Sequence, residues 1–292
     1  MRVTNSIIRE QIINSLTNNQ TNLFQIQEQI SSAKEVAKSS DDPTRFNRAS
    51  RFKSLLSKNE QYLENIEDGL GWNNTSSDAL DIVFDALVEV KEIALQSRSD
   101  SDPITRPQMA GTVDALLQEM ILIANTKFLG KYIFGGSITK DIEPFSFDGS
   151  AITYNGNTDD ITRKVGENAF LEINIVGSEF QDALQATLAI RDALASNDGV
   201  AIDAALALEE DSELALLSTI SRGGSGERKL TITRSNLELI QLNLKTAISQ
   251  AEDVDMTEAV LKFNAQELGL RAALESSNRM MNITILDYLP IR

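Results

Sequence analysis

The stretch SSDDPTRFNRAS, residues 39–50, interrupts a segment whose apolar spacing otherwise predicts helix from near the start of the chain. The Asp42 carboxylate can accept hydrogen bonds from free backbone N–H groups, and Pro43 suits a first helical turn because it lacks an N–H. We expect one helix to end near Ser39 and another to begin at Pro43. The alternative is that Asp41 and Asp42 form a catalytic pair, but adjacent side chains point in different directions and no base or nucleophile lies nearby in the sequence.

A second acidic stretch, AEDVDMTEAV, covers residues 251–260. Asp253 and Asp255 could hold a hard cation. However, Asp255 and Glu258 also have the spacing of a capping box ahead of an apolar helix. A helix boundary is the favoured interpretation here too.

The two acidic stretches lie at matching distances from the two ends of the chain. Residues 1–41 precede the first break and residues 253–292 follow the second, which is 41 residues against 40. Helices of that length would each span about 60 Å. If they run antiparallel side by side, the two acidic stretches lie together at one end of the pair.

The first helix carries a heptad pattern of apolar residues with one polar member, Asn19, and the pattern continues to Ala33 and Ala37. The C-terminal segment carries a looser version that begins at Met256. An ordinary core helix of a globular bundle would show the same pattern. We predict that these side chains form an assembly core, comprising Ile12, Leu16, Leu23, Ile26, Ile30, Val260, Phe263, Leu270, Leu274 and Met281.

The charge of the chain is distributed unevenly. The net charge is −16, but residues 1–42 carry only −1 (four basic, five acidic) and residues 253–292 only −2 (four basic, six acidic), which leaves −13 for the middle. Nearly neutral ends can pack closely, whereas the acidic middle favours water. This division suggests an assembly in which many copies bring their ends together.

Composition also argues against several functions. A strongly acidic chain is repelled by nucleic acid and by anionic membranes, so we expect neither as a partner. There is no histidine and no cysteine, which removes the commonest general base, thiolate nucleophiles and the usual zinc ligands. We therefore expect no enzyme activity, no metal and no cofactor. No signal peptide or apolar run of membrane-spanning length is visible.

The middle of the chain predicts a small β insert between helical segments. EPFSFDGSAITYNG reads as a hairpin around Asp148-Gly149, and AFLEINIVG reads as a half-buried strand. Helices are expected over 181–195, 201–221 and 228–250, with the Gly-rich stretch RGGSGERK, 222–229, as a flexible break. The predicted fold class is mainly α, a long antiparallel helical bundle or coiled coil carrying a small β domain.

Taken as a set, these motifs resemble the flagellin superfamily. MRVTNSIIREQ and SSDDPTRFNRAS are similar to its N-terminal arm and Asp-Asp-Pro turn, and SQAEDVDMTEAVLKFNAQELGLRAALESSNRMMNITILDYL is similar to its C-terminal arm. NTKFLGKYIFGGS, 125–137, and the ending ILDYL look more like the subunits that join hook to filament than like the filament subunit. The chain departs from the pattern at SRGGSGERK and in the PIR that follows Leu289.

The resemblance implies a flagellin-like rod of five segments. These are an N-terminal coiled-coil arm, two helical parts on either side of a small outer β domain, and a C-terminal coiled-coil arm that pairs with the first. The implied bounds are 1–42, 43–134, 135–180, 181–252 and 253–292.

The resemblance also implies a place and partners. The chain would be exported by the flagellar type III apparatus with a cytoplasmic export chaperone and would lie outside the cell at the junction of hook and filament. Its partners would be hook-associated protein 1, flagellin and other copies of itself in a ring. Three alternatives remain: flagellin itself, a cytoplasmic coiled-coil scaffold, and a carboxylate-based hydrolase.

Overall fold

The computed structural model describes residues 5–99 and 104–282. Within these ranges the chain folds mainly into long helices, and the predicted class, mainly α with a small β insert, is confirmed. The helices are α1 (Asn5–Ser32), α2 (Pro43–Ser99), α3 (Thr105–Ala124), α4 (Gln181–Ala195), α5 (Gly199–Glu252) and α6 (Met256–Asn282).

The β insert lies between α3 and α4 and consists of short antiparallel pairs. In the described residues β1 pairs with β2, β3 with β4 and β5 with β6, and a 3₁₀ turn at Gly177–Glu179 leads into α4. The strands are β1 (Lys127–Phe128), β2 (Lys131–Tyr132), β3 (Phe145–Phe147), β4 (Ile152–Tyr154), β5 (Thr162–Lys164) and β6 (Phe170–Glu172).

The described chain divides into two compact units. The first contains the residues up to Ser57 together with those from Gln241 onward, and the second contains Lys58–Ile240. In the first unit α1 packs against α6. The two helices are antiparallel, because Asn19 contacts Gln266 while Lys34, further along the chain, pairs with Asp253, which precedes α6.

The second unit has an apolar core to which the β insert and helices α2 to α5 all contribute. Aromatic rings fill the part beneath the insert: the ring centroids of Phe134 and Phe180 lie 4.8 Å apart, and those of Phe145 and Phe180 lie 5.3 Å apart. The Tyr154 hydroxyl lies 2.9 Å from the Phe134 carbonyl oxygen and donates to it. The short strands are therefore held by packing onto helices as well as by their own hydrogen bonds.

Helix α1 ends earlier than the sequence predicts, at Ser32 rather than near Ser39. The hydroxyls of Ser31 and Ser32 donate back to the Glu28 carbonyl oxygen, at 3.0 and 2.8 Å. Ala33 then takes a left-handed conformation with φ 55°, which commonly terminates a helix. Ala33 and Ala37 consequently lie outside the helix, although the heptad pattern extends to them.

The predicted break at 222–229 was wrong, because α5 is continuous through these glycines. Packing explains why glycine is used there. A Cβ on Gly223 would lie 3.2 Å from Ile175 Cδ1 and 3.3 Å from Ser77 Oγ, and one on Gly226 would lie 3.3 Å from Asn73 Nδ2. The low helix propensity of glycine, about 1 kcal/mol per residue, is offset by close approach of α5 to its neighbours.

The predicted hairpin is present, but its turn is shifted by one residue. The Asp148 N–H donates to the Ala151 carbonyl oxygen at 3.3 Å, so Gly149 and Ser150 form the loop instead of Asp148 and Gly149. Gly149 has φ 94°, a value that favours glycine. The Asp148 carboxylate accepts from the N–H groups of Ser150 and Ala151, at 2.9 and 2.7 Å, and this fixes the turn.

Two helical glycines of the second unit provide a matched test of this packing. A Cβ on Gly71 would lie 2.7 Å from Phe128 Cζ, whereas one on Gly224 would meet nothing within 4 Å. We predict that Gly71→Ala destabilises the unit by about 1–3 kcal/mol and that Gly224→Ala stabilises it by about 0.5–1 kcal/mol.

Urea unfolding followed by fluorescence of Trp72, the single tryptophan of the chain, measures both effects. Trp72 is buried against Phe128 in the same unit. Equal stabilisation by both substitutions would contradict the packing described for α2.

Candidate assembly site

The first acidic stretch closes a turn with the Asp41 side chain. Asp41 Oδ2 accepts hydrogen bonds from the N–H groups of Ala37 and Lys38, at 3.1 and 2.9 Å. The Asp41 N–H donates in return to the Lys38 carbonyl oxygen at 3.1 Å. The carboxylate therefore fixes the path of the chain between α1 and α2.

Asp42 caps the start of α2. Its Oδ1 accepts from the N–H groups of Thr44 and Arg45, at 2.9 and 3.0 Å, and Pro43 occupies the first helical position. The N–H groups at the start of a helix have no hydrogen-bond partner within it. The Asp42 carboxylate supplies that partner and so stabilises the start of α2. The two acids thus have separate backbone partners and share no site.

The second acidic stretch forms a shorter turn before α6. Asp255 Oδ1 accepts from the N–H groups of Thr257 and Glu258, at 2.9 and 3.2 Å. The Glu258 carboxylate lies 2.8 Å from Lys262 Nζ, so this side chain pairs along the helix. Asp253 takes part through its backbone, whose N–H donates to the Ser249 carbonyl oxygen at 2.8 Å.

The two turns, residues 33–42 and 253–255, are joined to each other and are called the paired turns below. Lys34 and Asp253 form an antiparallel β-bridge. The Val254 N–H donates to the Ala33 carbonyl oxygen at 3.1 Å, and the N–H groups of Glu35 and Val36 both donate to the Glu252 carbonyl oxygen, at 2.7 and 3.2 Å. The start of α6 is thereby tied to the end of α1.

A buried carboxylate lies beneath this backbone junction. Glu252 is 3% exposed; its Oε2 lies 3.1 Å from Lys34 Nζ and its Oε1 contacts Lys53 Nζ. Burial raises the pKa of Glu252, but the hydrogen bonds from Lys53 and Lys34 more than offset this, so the pKa lies below the ordinary glutamate value. The hydrogen bond to Glu252 likewise raises the pKa of Lys34.

Arg45 links three segments around the paired turns. Its Nε donates to the Ala251 carbonyl oxygen at 3.1 Å, and its Nη1 donates to Glu35 Oε2 at 2.6 Å. Arg45 lies in the first helical turn of α2. It therefore connects the start of that helix to the end of α5 and to the turn at residues 33–42. None of these basic residues was singled out from the sequence, and the partners lie up to 218 positions apart along the chain, from Lys34 to Glu252.

The predicted apolar residues of α1 are all half-buried in the described pair of helices α1 and α6. Apart from Gln29, the half-buried positions within 10–32 step by three and four, and the positions between them are exposed. These half-buried residues form the α1 side of what we call the α1–α6 seam, which consists of Ile12, Leu16, Asn19, Leu23, Ile26 and Ile30.

The α6 side of the seam differs from the predicted pattern. Phe263 and Leu270 lie in it, but Val260 and Leu274 lie beside it and are 42% and 49% exposed. The side chain of Met281 lies outside the described part of the chain. The seam positions on α6 are Ala259, Phe263, Gln266, Leu270, Ala273 and Ser277.

One polar contact crosses the middle of the seam. Gln266 Nε2 lies 3.3 Å from Asn19 Oδ1 and 3.4 Å from the Asn19 carbonyl oxygen, and it donates to both. A polar pair inside an apolar seam favours the one register in which both groups are satisfied. It acts together with the paired turns, because both require the same alignment of α1 and α6.

The α1–α6 pair also exposes large apolar side chains away from the seam. Phe24 on α1 is 66% exposed, and Leu261 and Leu268 on α6 are 65% and 69% exposed. We call these three residues together the outer face, a name that covers exposed positions on both helices and implies no single continuous patch. Leu261 and Leu268 are seven residues apart, so they lie on one side of α6. Such positions of a two-helix pair usually carry polar residues, and this exposure is characteristic of a protein-binding surface.

The acids considered as chemical sites have structural partners instead. Residues 5–99 and 104–282 contain no group of three or more acidic side chains arranged to hold a metal ion. In the same part of the chain no helix has the length and hydropathy needed to cross a membrane.

The charges around Glu252 predict a pH window for the paired turns. A lowered glutamate pKa gives stability that is present above the ordinary value of about 4.3 and is lost as the pH falls through the lowered pKa. The raised lysine pKa gives stability that is present below about 10.4 and is lost as the pH rises through the raised value. Protection of the Glu35, Val36 and Val254 amides, measured by hydrogen exchange, should therefore be maximal between these limits.

Replacing Glu252 by Gln should lower this protection at neutral pH by about tenfold, or about 1.4 kcal/mol, and abolish its loss in acid. Glu258→Gln is the matched control, since the Glu258–Lys262 pair is exposed on both sides; it should change protection less than twofold. If amide protection is still lost in acid in the Glu252→Gln variant, that loss comes from the titration of another group, which would contradict the role given to Glu252.

The chain matches two family models. Residues 3–139 match the bacterial flagellin N-terminal helical region and residues 212–289 match the bacterial flagellin C-terminal helical region. Flagellar hook-associated protein 3 of Escherichia coli (strain K12) is 23% identical over 302 residues, which cover 99% of this chain and 89% of that protein. Flagellin of Bacillus subtilis (strain 168) is 22% identical over 290 residues, which cover 92% of each.

Solved structures share the fold. A putative flagellar hook-associated protein from Vibrio parahaemolyticus has a TM-score of 0.68 at 19% identity and covers 73% of this chain and 100% of its own. Bacillus cereus FlgL has a TM-score of 0.61 at 20% identity and covers 68% of this chain and 98% of its own. The resemblance noted in the sequence is confirmed, and the two family models together span more than half of the residues: the chain belongs to the flagellin family.

Proposed function

We propose that this chain is the adaptor that joins the flagellar hook to the filament, and that it assembles through its terminal helices. Membership of the flagellin family makes it a structural component of the bacterial flagellum. The finer assignment is supported by its similarity, over nearly its whole length, to proteins named flagellar hook-associated protein 3.

The observation that carries the assembly mechanism is the outer face of the α1–α6 pair. Phe24, Leu261 and Leu268 are each about two-thirds exposed in the isolated chain. Burying one leucine side chain contributes about 1.5–3 kcal/mol, so a few such residues per copy can offset the cost of ordering an interface. Val260 and Leu274, which flank the seam, would be covered in the same contact.

The proposed partners follow from this position in the flagellum. Hook-associated protein 1 lies on one side, flagellin on the other, and further copies of the chain complete a ring. The chain is exported by the type III apparatus, with a cytoplasmic chaperone, and acts outside the cell at the junction. The five predicted segments belong to this proposal, in which the predicted assembly core acts by holding α1 against α6 and so presents the outer face to other copies.

We assign no catalytic step to the adaptor. The family is one of structural proteins, and the composition provides no histidine or cysteine. Asp41, Asp42 and Asp255 each accept hydrogen bonds from backbone N–H groups near a helix boundary. Their carboxylates are thus committed to the fold.

A second candidate is flagellin itself, which the similarity to the Bacillus subtilis protein favours. A deletion strain separates the two. Loss of the adaptor should release flagellin monomers into the medium and leave cells without attached filaments. Loss of the filament subunit should leave no flagellin in the medium. An immunoblot of the medium, with electron microscopy of the cells, distinguishes these outcomes. Absence of flagellin from the medium of the deletion strain would show that the adaptor assignment is wrong.

Charge on the outer face should block assembly without disturbing the fold. In Leu261→Asp/Leu268→Asp the seam is untouched, so we expect normal helix content and secretion but at least about a tenfold loss of attached filaments. Counting filaments in the complemented deletion strain measures this.

The matched control is Asn264→Asp, an exposed position on the same helix. It adds negative charge without removing an apolar group and should support filaments at a normal level. Normal attachment by the double leucine variant would refute assembly through this face.

A further inference from the structure

The apolar core of the second unit is divided into two parts. The larger part lies beneath the β insert and reaches α5 at Leu216, Leu230 and Leu237. The smaller part lies where α2 ends, α3 begins, α4 ends and α5 begins. We call it the end cluster, and it consists of Val90, Ala94, Ala110, Val113, Ile190, Ala193, Leu194, Ile202 and Ala205. On α5 the two parts are separated by the residues between Ala205 and Leu216.

A polar layer lies between the two parts. The buried positions of α5 here are 202, 205, 209, 212 and 216, spaced by three and four residues as in a helix-packing seam. Glu209 and Ser212 occupy two of these positions and are 0% and 4% exposed. The Ser212 hydroxyl donates to the Glu209 carbonyl oxygen at 2.8 Å, so it is satisfied within its own helix. The Glu209 carboxylate is therefore the group that needs a partner from another helix.

That carboxylate is poorly partnered. Neither Glu209 Oε1 nor Oε2 accepts a hydrogen bond within the described residues. Lys91 Nζ of α2 lies 3.5 Å from Oε2, which is long for a hydrogen bond between charged groups, and it directly contacts the carboxylate of Glu213. One ammonium group is thus shared by two carboxylates, and its closer contact is with the more exposed of them.

The other charges around Glu209 are negative. Glu210 and Glu213 are its neighbours on α5. Helix α4 borders this part of α5 along an exposed groove whose acids are Asp182 and Asp211. The lysine of α2 is the one cation that faces Glu209 among the described residues. The surroundings therefore favour the neutral form of the side chain over the charged form.

The two most deeply buried glutamates of the described chain respond to pH in opposite directions. Burial raises the pKa of Glu209 above the ordinary glutamate value, Lys91 offsets only part of this effect, and the charges of Glu213 and Glu210 raise the pKa further. Glu252 is 3% exposed but has two lysine partners, and its pKa is lowered. Burial alone does not decide the sign, because the number of cations differs.

We propose that Glu209 is a proton-controlled weak point of the second unit. When its carboxylate is charged, the end cluster opens separately from the larger part of the core, because opening brings water to a buried charge that lacks a full partner. When the carboxylate is protonated, this advantage of opening is lost and the two parts of the core unfold together. The behaviour belongs to the single chain and does not depend on assembly into flagella.

The direction of the pH dependence follows from the raised pKa. A carboxyl group whose pKa is raised on folding gives stability that is fully present below the ordinary value of about 4.3 and is lost as the pH rises through the raised pKa. The end cluster should therefore be most stable in mild acid. The paired turns should show the opposite trend, since the pKa of their buried glutamate is lowered.

Hydrogen exchange of the full chain, corrected for the intrinsic exchange rate at each pH, tests this behaviour. Protection of the amides in 90–97, 188–195 and 203–206, which carry the end cluster, should fall as the pH rises from about 4.3 to neutral. Protection in 216–230, on the larger part of the core, should change less than about twofold. Equal loss in both parts, or no change with pH in the end cluster, would overturn the proposal.

Two substitutions identify the titrating group. Glu209→Gln keeps the size of the side chain and removes its charge, so protection of the end cluster at neutral pH should rise about tenfold and its pH dependence should disappear. Glu213→Gln leaves Lys91 to Glu209 alone and should reduce the pH-dependent loss. The matched control is Glu210→Gln, at an exposed position on the same helix, which should change protection less than about twofold. Lower protection in Glu209→Gln, or a pH dependence that survives this substitution, would contradict the role given to Glu209.

Discussion

The α1–α6 pairing depends on the burial of one residue, Glu252. Its carbonyl oxygen accepts hydrogen bonds from two backbone N–H groups of the turn at residues 33–42. Its carboxylate pairs with Lys34 and Lys53. A buried charge that loses one of its partners is left without compensation. Because Glu252 at the end of α5 pairs with Lys34 in the turn at 33–42 and with Lys53 in α2, these three segments stabilise one another. This junction sets the alignment in which Asn19 meets Gln266.

The same alignment explains how the terminal helices can serve assembly. The seam residues pack within one chain. Phe24, Leu261 and Leu268 take no part in that packing and remain exposed for the proposed contact with other subunits. The near neutrality of the two ends lowers the electrostatic cost of bringing many copies together, while the acidic middle stays in water. Fold and proposed function thus use different faces of the same two helices.

Local signals in the sequence were informative, and long-range contacts were not accessible. Asp42-Pro43 and the α1 heptads depend on neighbours within a few residues, and both features are present in the structure. On α6 the pattern favoured the larger Val260 and Leu274, whereas Ala259, Ala273 and Ser277 occupy the seam because small residues permit close helix packing. Glu252 depends on Lys53, 199 positions away, and the glycines of α5 depend on partners in α2 and the β insert.

The most direct measurement asks whether the paired turns persist in the assembled flagellum. The Lys34–Asp253 bridge places two Cα atoms about 4.5–5.5 Å apart, within disulfide range, and the chain has no native cysteine. Lys34→Cys/Asp253→Cys chains recovered from attached flagella should carry an intramolecular disulfide on non-reducing gels. If the disulfide forms only in chains that stay out of flagella, the turns separate on assembly, and the α1–α6 pairing described above is not the assembled state.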